Sequence, residues 1–511
     1  MSASIHGATL SGIEALPVEV EVRLLGGQMG RFLLTGLAGA TIRESRDRIK
    51  AAINASGFRF PRRSLLVHLA PGDVKKDGPL LDLPIALGVL IASGQLVSDR
   101  ASRFLAAGEL ALDGRVRSVR GILPIASLAA RLGFEGLLTP PSGADQAALS
   151  PGAPAYGVGS LIEAVAFLAG HLDLEPGSAA ALARDAKPDP LAGPGLDEIR
   201  GQQEAKQALA VAAAGMHNLL LVGPPGSGKT MLARRMNSLL PDLAEQQALE
   251  CALIRSVDDP AFTGLERRPP FRAPHHSCSA AALTGGGPRL RPGEVSLAHH
   301  GLLFLDEFPE FPRNAIEALR QPLEDRIITI SRAHGSVVFP AEICLVAAMN
   351  PCPCGYRGHG RVACHCSDSL VQRYMRRVSG PILDRFDLTV EVPPIEPRDY
   401  FENGRPANAG RLREQVVRAR DRQRKRLKDC GLTVNSQMGL REIERFCVLG
   451  EPARALLISA AERNNLSARA LTRILRVARS VADLKEDEAE QITREDLAFA
   501  LSCRFALPGL E

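Results

Sequence analysis

Short uninterrupted apolar runs and longer helical stripes alternate along this chain. Leu219–Val222, Leu302–Leu305 and Ile343–Met349 are apolar at every position. Runs of that length bounded by polar or glycine residues predict buried strands. Glu19–Leu25 and Ser64–Leu69 predict two more strands nearer the N-terminus. Thr41–Ser56 and Glu198–Gly215 place apolar residues at helical spacing. Leu466–Leu484 carries a clear helical stripe through Leu471, Ile474, Leu475, Val477, Ala478 and Val481. A further helix is expected over Leu83–Gly94, with Asp82 as its N-cap and Pro84 in its first turn. Ile327–Pro340 has strand-like ends around AHGS and predicts a hairpin. Between the strand-and-helix regions, Asp173–Gly195 is rich in Pro, Ala and Gly without a sustained period, which predicts a linker.

With 511 residues, the chain exceeds what one hydrophobic core holds, and the pattern predicts an α/β multidomain protein. A hydrophobic share of 45% beside 23% charged residues is that of a soluble globular chain. The net charge is only +5, so any grip on nucleic acid must come from local clustering of the 62 Lys and Arg. Absence of Trp and a count of four Tyr leave few rings for stacking on single-stranded bases, so contact through phosphates is expected. No apolar stretch approaches the ~20 residues that span a bilayer. The first residues lack the basic-then-apolar pattern of a signal peptide. Ten cysteines in such a chain point to a reducing cytoplasm rather than to disulfides.

The chemistry concentrates behind the apolar runs. Leu219–Val222 leads into Gly223, Pro224, Pro225, Gly226, Ser227, Gly228, Lys229 and Thr230, the pattern G-x-x-x-x-G-K-T, and a helical pattern follows. Strand, glycine loop and helix in that order cradle phosphate oxygens on backbone N–H groups. Lys229 is expected to reach the β- and γ-phosphates of ATP, and the Thr230 hydroxyl to hold Mg²⁺. The run Leu302–Leu305 ends in Asp306 and Glu307. Asp306 would order the magnesium shell, and Glu307 would orient and polarise the attacking water.

Cys352, Cys354, Cys364 and Cys366 form two C-x-C pairs. Four thiolates so gathered suit a tetrahedral structural Zn²⁺, with His359 or His365 as alternative ligands and a metal-free reduced loop as the other reading. Arg411–Leu427 is strongly basic and reads first as a solvated helical face.

Two N-terminal segments, KKDGPLLDLPIAL and GELALDGRVRSVRGILPIASLAARLGF, resemble the proteolytic domain of Lon. That family's pattern has serine where Leu80 stands and lysine where Leu123 stands here. A leucine pair supplies neither nucleophile nor base, so the resemblance implies a Lon-type fold without peptidase chemistry, used for docking or assembly. Further along, GPPGSGKT, FLDE, AMNPCPCG and LDRFD resemble, in that order, the AAA+ ATPases of the magnesium chelatase and MCM branch. The segment from FRAPHH to EFPEF, followed by LRQPLEDR and ISRA, is similar to the ComM (YifB) family over nearly the whole chain.

This resemblance implies a Lon-protease-like α+β domain (1–171), a linker (172–195), an AAA+ P-loop α/β domain with a helix-2 insert at Phe271–Leu290 (196–398) and a helical lid (399–511). It implies that Asn350 is the sensor for the attacking water or γ-phosphate. Arg385 would be either an intrachain ion-pair residue or an arginine finger acting on a neighbour. Arg469 would be the second sensor, with Arg473 as competitor. Arg332 and His334, near the hairpin tip, would meet DNA phosphates in the channel of a homo-hexamer or stand on a solvated turn. Implied partners are branched or single-stranded DNA, further copies of the chain, and recombinase or DNA-uptake proteins, with no membrane. Two functions remain open: an ATP-driven branch-migration helicase acting in homologous recombination of incoming DNA, and a non-translocating, protein-remodelling ATPase of the chelatase type.

Overall fold

The computed structural model describes all residues except 1, 27–29, 77, 181–195, 197, 198, 200, 263, 288, 289, 333, 334, 395–408, 488, 489 and 505–511. The N-terminal region is built on a seven-stranded mixed sheet. In spatial order its strands are Phe32–Thr35, Leu65–Ala70, Glu14–Leu24, Ser2–Ser11, Phe104–Ala106, Gly136–Thr139 and Ala155–Gly157. The two longest pair antiparallel from Ser2 opposite Arg23 to Ser11 opposite Glu14. Val18, Val20 and Val22 alternate inward, against Ile5 and the buried helix Asp82–Ala92.

Asp82 is not the N-cap the sequence predicts. It lies inside the helix, buried, and its carboxylate accepts from Arg48 Nε at 2.7 Å and from the Leu110 N–H at 3.2 Å. A buried carboxylate needs a cationic partner more than a helix end needs a cap. Of the predicted linker, residues 181–195 lie outside the described residues. Its start runs along the sheet edge, where Pro176 bridges Tyr156 and Gly177 donates to the Ala155 carbonyl.

Leu80 and Leu123 are both buried. Leu80 packs among Ala8, Leu105 and Ile125. Leu123 packs against Ala252 and Phe262, which belong to the P-loop region rather than to its own sheet. The helix Glu245–Asp258 docks here: the Ser256 carbonyl accepts from Gly121 N at 2.7 Å, and Ser256 Oγ accepts from Leu123 N at 3.3 Å. Gln146 Nε2 adds a bond to the Phe262 carbonyl at 2.7 Å. The surface that would hold a catalytic lysine is an interdomain seam.

The P-loop region contains an all-parallel sheet in the order Phe271–Arg272, Leu302–Leu305, Cys344–Met349, Leu219–Val222, Leu388–Glu391. The three inner strands are buried at every position, which is why they are uninterrupted apolar runs. After Phe271–Arg272 comes a short helix, Ala280–Thr284, a two-residue ladder pairing Gly285–Gly286 with Arg291–Pro292, and a helical turn, Glu294–Leu297. The expected hairpin is present as Ile327–Arg332 and Gly335–Pro340. Its base is buried through Ile328, Val337 and Phe339, and Ile13, at the turn of the first N-terminal hairpin, packs on the same core.

The C-terminal region is helical. The basic helix, Ala409–Leu427, corrects the expectation of a merely solvated face. Arg420 is buried and donates from Nε and Nη2 to the Ala213 carbonyl. Arg426 forks onto Asp483 at 2.8 and 2.6 Å, on the helix Ala468–Leu484. These arginines fasten the lid to the helix Gln203–Gly215 and to itself. The seam at Leu123 yields a direct expectation. Leu123→Lys would bury an unpaired ammonium against Ala252 and Phe262, at ~3–5 kcal/mol. Limited proteolysis should then separate the N-terminal and P-loop regions faster than in wild type, without any gain of peptidase activity. Unchanged protease resistance would contradict the seam.

Candidate nucleotide-binding and hydrolysis site

Strand register gathers the site. Val222 lies opposite Met349, and Leu305 opposite Ala347, so the glycine loop, Asp306 and Asn350 leave the same sheet edge side by side. Gly226 and Gly228 have φ of 77° and 88°, in the left-handed region that glycine enters without strain. Gly223 is needed for a different reason: a Cβ there would stand 2.2 Å from the Val392 carbonyl oxygen. The helix Lys229–Met236 follows, so Lys229 and Thr230 occupy a first turn whose N–H groups have no intrahelical partner.

Lys229 Nζ donates to the carbonyls of Gly223 at 2.7 Å and Pro224 at 2.9 Å, and to Asn350 Oδ1 at 3.2 Å. Burial pushes its ammonium below the usual lysine range, and the charge of Asp306 works against that shift. Thr230 Oγ1 donates to Asp306 Oδ2 at 2.6 Å. A hydroxyl and a carboxylate at that separation fit two positions around one Mg²⁺. Triphosphate would lie along the loop amides against Lys229.

Glu307 is turned elsewhere. Its φ is 52°, and its N–H donates to Asp306 Oδ1 at 3.0 Å. The carboxylate meets His276 Nδ1 at 3.0 Å, on the segment after Phe271–Arg272. His276 has no role in the sequence reading; its only signal was the His-His pair ahead of the carboxylate strand. Gln202 is a second residue the sequence reading missed. Its Nε2 donates to the Ser227 carbonyl at 2.5 Å, bracing the loop from outside.

The proposed arginines fall in different places. Arg385 Nη2 reaches Glu324 Oε2 at 2.5 Å and Nη1 reaches the Pro381 carbonyl at 3.1 Å, leaving 15% of the side chain exposed. Its loop is pinned by Asn218, which donates from Nδ2 to the Arg385 carbonyl and from N to Asp387 Oδ2, each at 3.0 Å. Arg473 lies beside this loop, with Nη1 3.8 Å from Asp384. Arg469 is exposed in the first turn of Ala468–Leu484. Arg332 pairs with Gly335 at the described end of the hairpin, and His334 lies outside the described residues.

Among the described residues, two clusters could be taken for metal sites. The Sγ atoms of Cys352, Cys354, Cys364 and Cys366 all lie within 4.8 Å of one another, the shortest pairs at 3.3, 3.6 and 3.7 Å. Tetrahedral thiolates ~2.3 Å from zinc would be about 3.8 Å apart, so the donor set fits. His359 Nδ1 accepts from the Arg361 and Val362 amides and faces its own loop instead. The knuckle touches the nucleotide loop: a Cβ on Gly355 would stand 2.5 Å from Pro225 Cδ. Glu250, His299 and His300 form the other cluster. There His299 Nδ1 accepts from the Glu342 N–H at 3.0 Å, which leaves the proton on the Nε2 facing Glu250. That cluster is a closed hydrogen-bond network and not a ligand set.

Comparison with known proteins finds relatives along nearly the whole chain. Family models described as magnesium chelatase, subunit ChlI; subunit ChlI of Mg-chelatase; and magnesium chelatase, subunit ChlI C-terminal match residues 195–400, 20–143 and 407–504. The competence protein ComM of Haemophilus influenzae is 42% identical over 510 residues, covering 98% of this chain and 97% of that protein. The chain belongs to the ComM/YifB family. Another relative in that family, YifB of Escherichia coli, is 41% identical over 99% of this chain and 97% of its own length. An archaeal Lon protease of Methanothermobacter thermautotrophicus is 40% identical over 65 residues, 13% of this chain and 10% of that protein. As a ComM/YifB protein, the chain is a magnesium chelatase-like AAA+ ATPase. No helix among the described residues is long and apolar enough to cross a membrane.

Lys229→Ala should therefore abolish binding of a fluorescent ATP analogue. Glu307→Gln should bind it with affinity near wild type and lose hydrolysis by at least ~10²-fold. Near-normal turnover by Glu307→Gln would contradict the assignment of that carboxylate.

Proposed function

We propose that this chain is an ATP-driven motor that moves branched DNA, working as a homo-hexameric ring. The observation that carries the reading is the rooting of the Ile327–Pro340 hairpin. Its Ile328, Val337 and Phe339 share one buried core with Leu303, Leu305 and Phe308, which flank Asp306 and Glu307. A hairpin so rooted can be displaced when the carboxylate strand responds to ATP hydrolysis. The similarity to a competence protein over nearly the full chain supports DNA entering the cell as the substrate and homologous recombination as the setting. Recombinase or DNA-uptake proteins would be the partners that deliver it.

In this reading Asn350 holds the γ-phosphate side of the site and Arg385 exchanges Glu324 for a neighbour's γ-phosphate. Arg469, exposed at its helix start, reaches the same phosphate as the second sensor. Arg332 and His334 contact DNA phosphates rather than bases, so binding is weakly sequence-dependent and steeply salt-dependent. The N-terminal region is a Lon-type platform without peptidase chemistry, clamped to the motor at Leu123. Zn²⁺ on the four cysteines stiffens the loop after Asn350. Four thiolates leave no open coordination position for catalysis at that metal.

ATPase rates with and without four-way DNA test the motor. Wild type should be stimulated by the junction. Arg332→Ala should keep its basal rate and lose stimulation together with DNA affinity, whereas Arg385→Ala should bind ATP and lose turnover by up to ~10³-fold. A wild-type rate indifferent to every branched and linear DNA would favour the remodelling ATPase instead. For the knuckle, elemental analysis of protein purified without chelator should give one zinc per chain, falling to none in Cys364→Ser/Cys366→Ser. Metal-free wild-type protein with full nucleotide affinity would remove zinc from the account.

A further inference from the structure

We infer that the lid segment Asn435–Met438 is a second drive for the DNA hairpin, joining both of its legs to the helix that carries Arg469. The inference rests on the motor reading above for what the hairpin and Arg469 touch, and on the geometry for the link itself. The hairpin leaves the P-loop region through a narrow base. There Ile327 pairs with Pro340, and the Ala341 N–H donates to the Arg326 carbonyl at 2.8 Å. On one side of the base, Arg326 Nη2 donates to the Ser436 carbonyl at 3.1 Å. On the other, Gln437 Nε2 donates to Glu342 Oε1. Two adjacent lid residues hold the two legs. Arg326 is half-buried at φ 58°, a left-handed conformation that a non-glycine residue keeps only where its surroundings fix it.

The flanking members of the same segment face the helix Ala468–Leu484. Asn435 is fully buried, and its Nδ2 donates to Ser480 Oγ and to Asp483 Oδ2, each at 2.9 Å. Its Oδ1 accepts from Arg426 Nη2 at 2.9 Å, and its N–H donates to Gln423 Oε1 at 2.9 Å. Met438 is buried in one core with Ile474 and Val477 of that helix. Ser436 and Gln437 therefore move with the helix, and Arg326 and Glu342 move with Ser436 and Gln437. A two-state shift of the helix has a continuous chain of bonds and packed side chains to follow. Each leg is six residues long. At ~3.4 Å per residue the tip stands ~20 Å from the base, so a small rotation there is amplified at Arg332. In this arrangement Arg326 and Gln437 are positioning residues. They carry the state of the phosphate that Arg469 reaches to the cations that meet DNA.

The polarity of the Gln437–Glu342 bond makes the test specific. Gln437→Glu sets two carboxylates against each other and releases one leg, while Arg326→Met removes the donor on the other. Glu342→Gln/Gln437→Glu remakes the bond with donor and acceptor exchanged. Basal ATPase, and four-way-junction movement per ATP hydrolysed, would be measured for wild type and these three proteins. Both single variants should keep a basal rate close to wild type and move the junction severalfold less per ATP. The exchanged pair should recover wild-type movement per ATP. Wild-type movement per ATP in either single variant, whatever its basal rate, would overturn the inference, as would no recovery in the exchanged pair. If wild type moves no junction, the motor reading fails, and the link is judged by hydrogen exchange of the hairpin amides on adding a non-hydrolysable ATP analogue. That exchange should change in wild type and the exchanged pair but not in the single variants. An equal change in all four proteins, or none in wild type, would overturn the link.

Discussion

Val222 opposite Met349, and Leu305 opposite Ala347, are the pairings on which the rest of the molecule depends. Parallel strands in register end on one edge, and each of these three leads into a residue of the candidate site. A slip of one residue would turn every side chain to the opposite face. It would also part Thr230 from Asp306. Both faces of all three strands are buried and apolar, so the register is held by close packing of differently shaped side chains and by the polar contacts at the strand ends. Sequence order, apolar continuity and chemistry are therefore one constraint seen at three levels.

The lid and the Arg385 loop are fastened to that sheet and its helices by polar contacts at defined points. His217 sits just before the loop strand, with Nε2 2.7 Å from Ser480 Oγ of the lid and Nδ1 3.6 Å from Asp387. Asn218, next to it, ties the strand entrance to the Arg385 loop. Arg420 closes on the carbonyl of Ala213. On the opposite side, the seam at Leu123 holds the N-terminal sheet to the helix Glu245–Asp258. Where the Lon pattern has its catalytic lysine, this chain makes an apolar contact across the seam.

Most of the fold was legible because its strands and helices obey their periods. The runs Leu219–Val222 and Leu302–Leu305 fall on strands as read, and the stripe in Leu466–Leu484 falls on Ala468–Leu484. Ser2–Ser11 escaped prediction because Gly7 and its small neighbours blur the alternation, and only pairing with Glu14–Leu24 reveals the strand. Asp82 looked like a cap because caps are local, whereas its real partner, Arg48, lies 34 residues away. Arg420 and Arg426 of Ala409–Leu427 looked solvated for the same reason, since their acceptors, Ala213 and Asp483, are on other helices. At the site, Lys229, Thr230, Asp306 and Asn350 were readable from motif spacing and lie together. His276 and Gln202 were not, because a contact made across separate segments leaves no local pattern.

The central claim is that hydrolysis at this site moves DNA. The most direct measurement follows strand separation of a fluorescently labelled four-way junction by wild type and by Glu307→Gln, with ATP and with a non-hydrolysable analogue. The account predicts junction movement by wild type with ATP alone, and binding without movement in the other three combinations. Absence of movement by an ATPase-active wild type, or equal movement without hydrolysis, would contradict it.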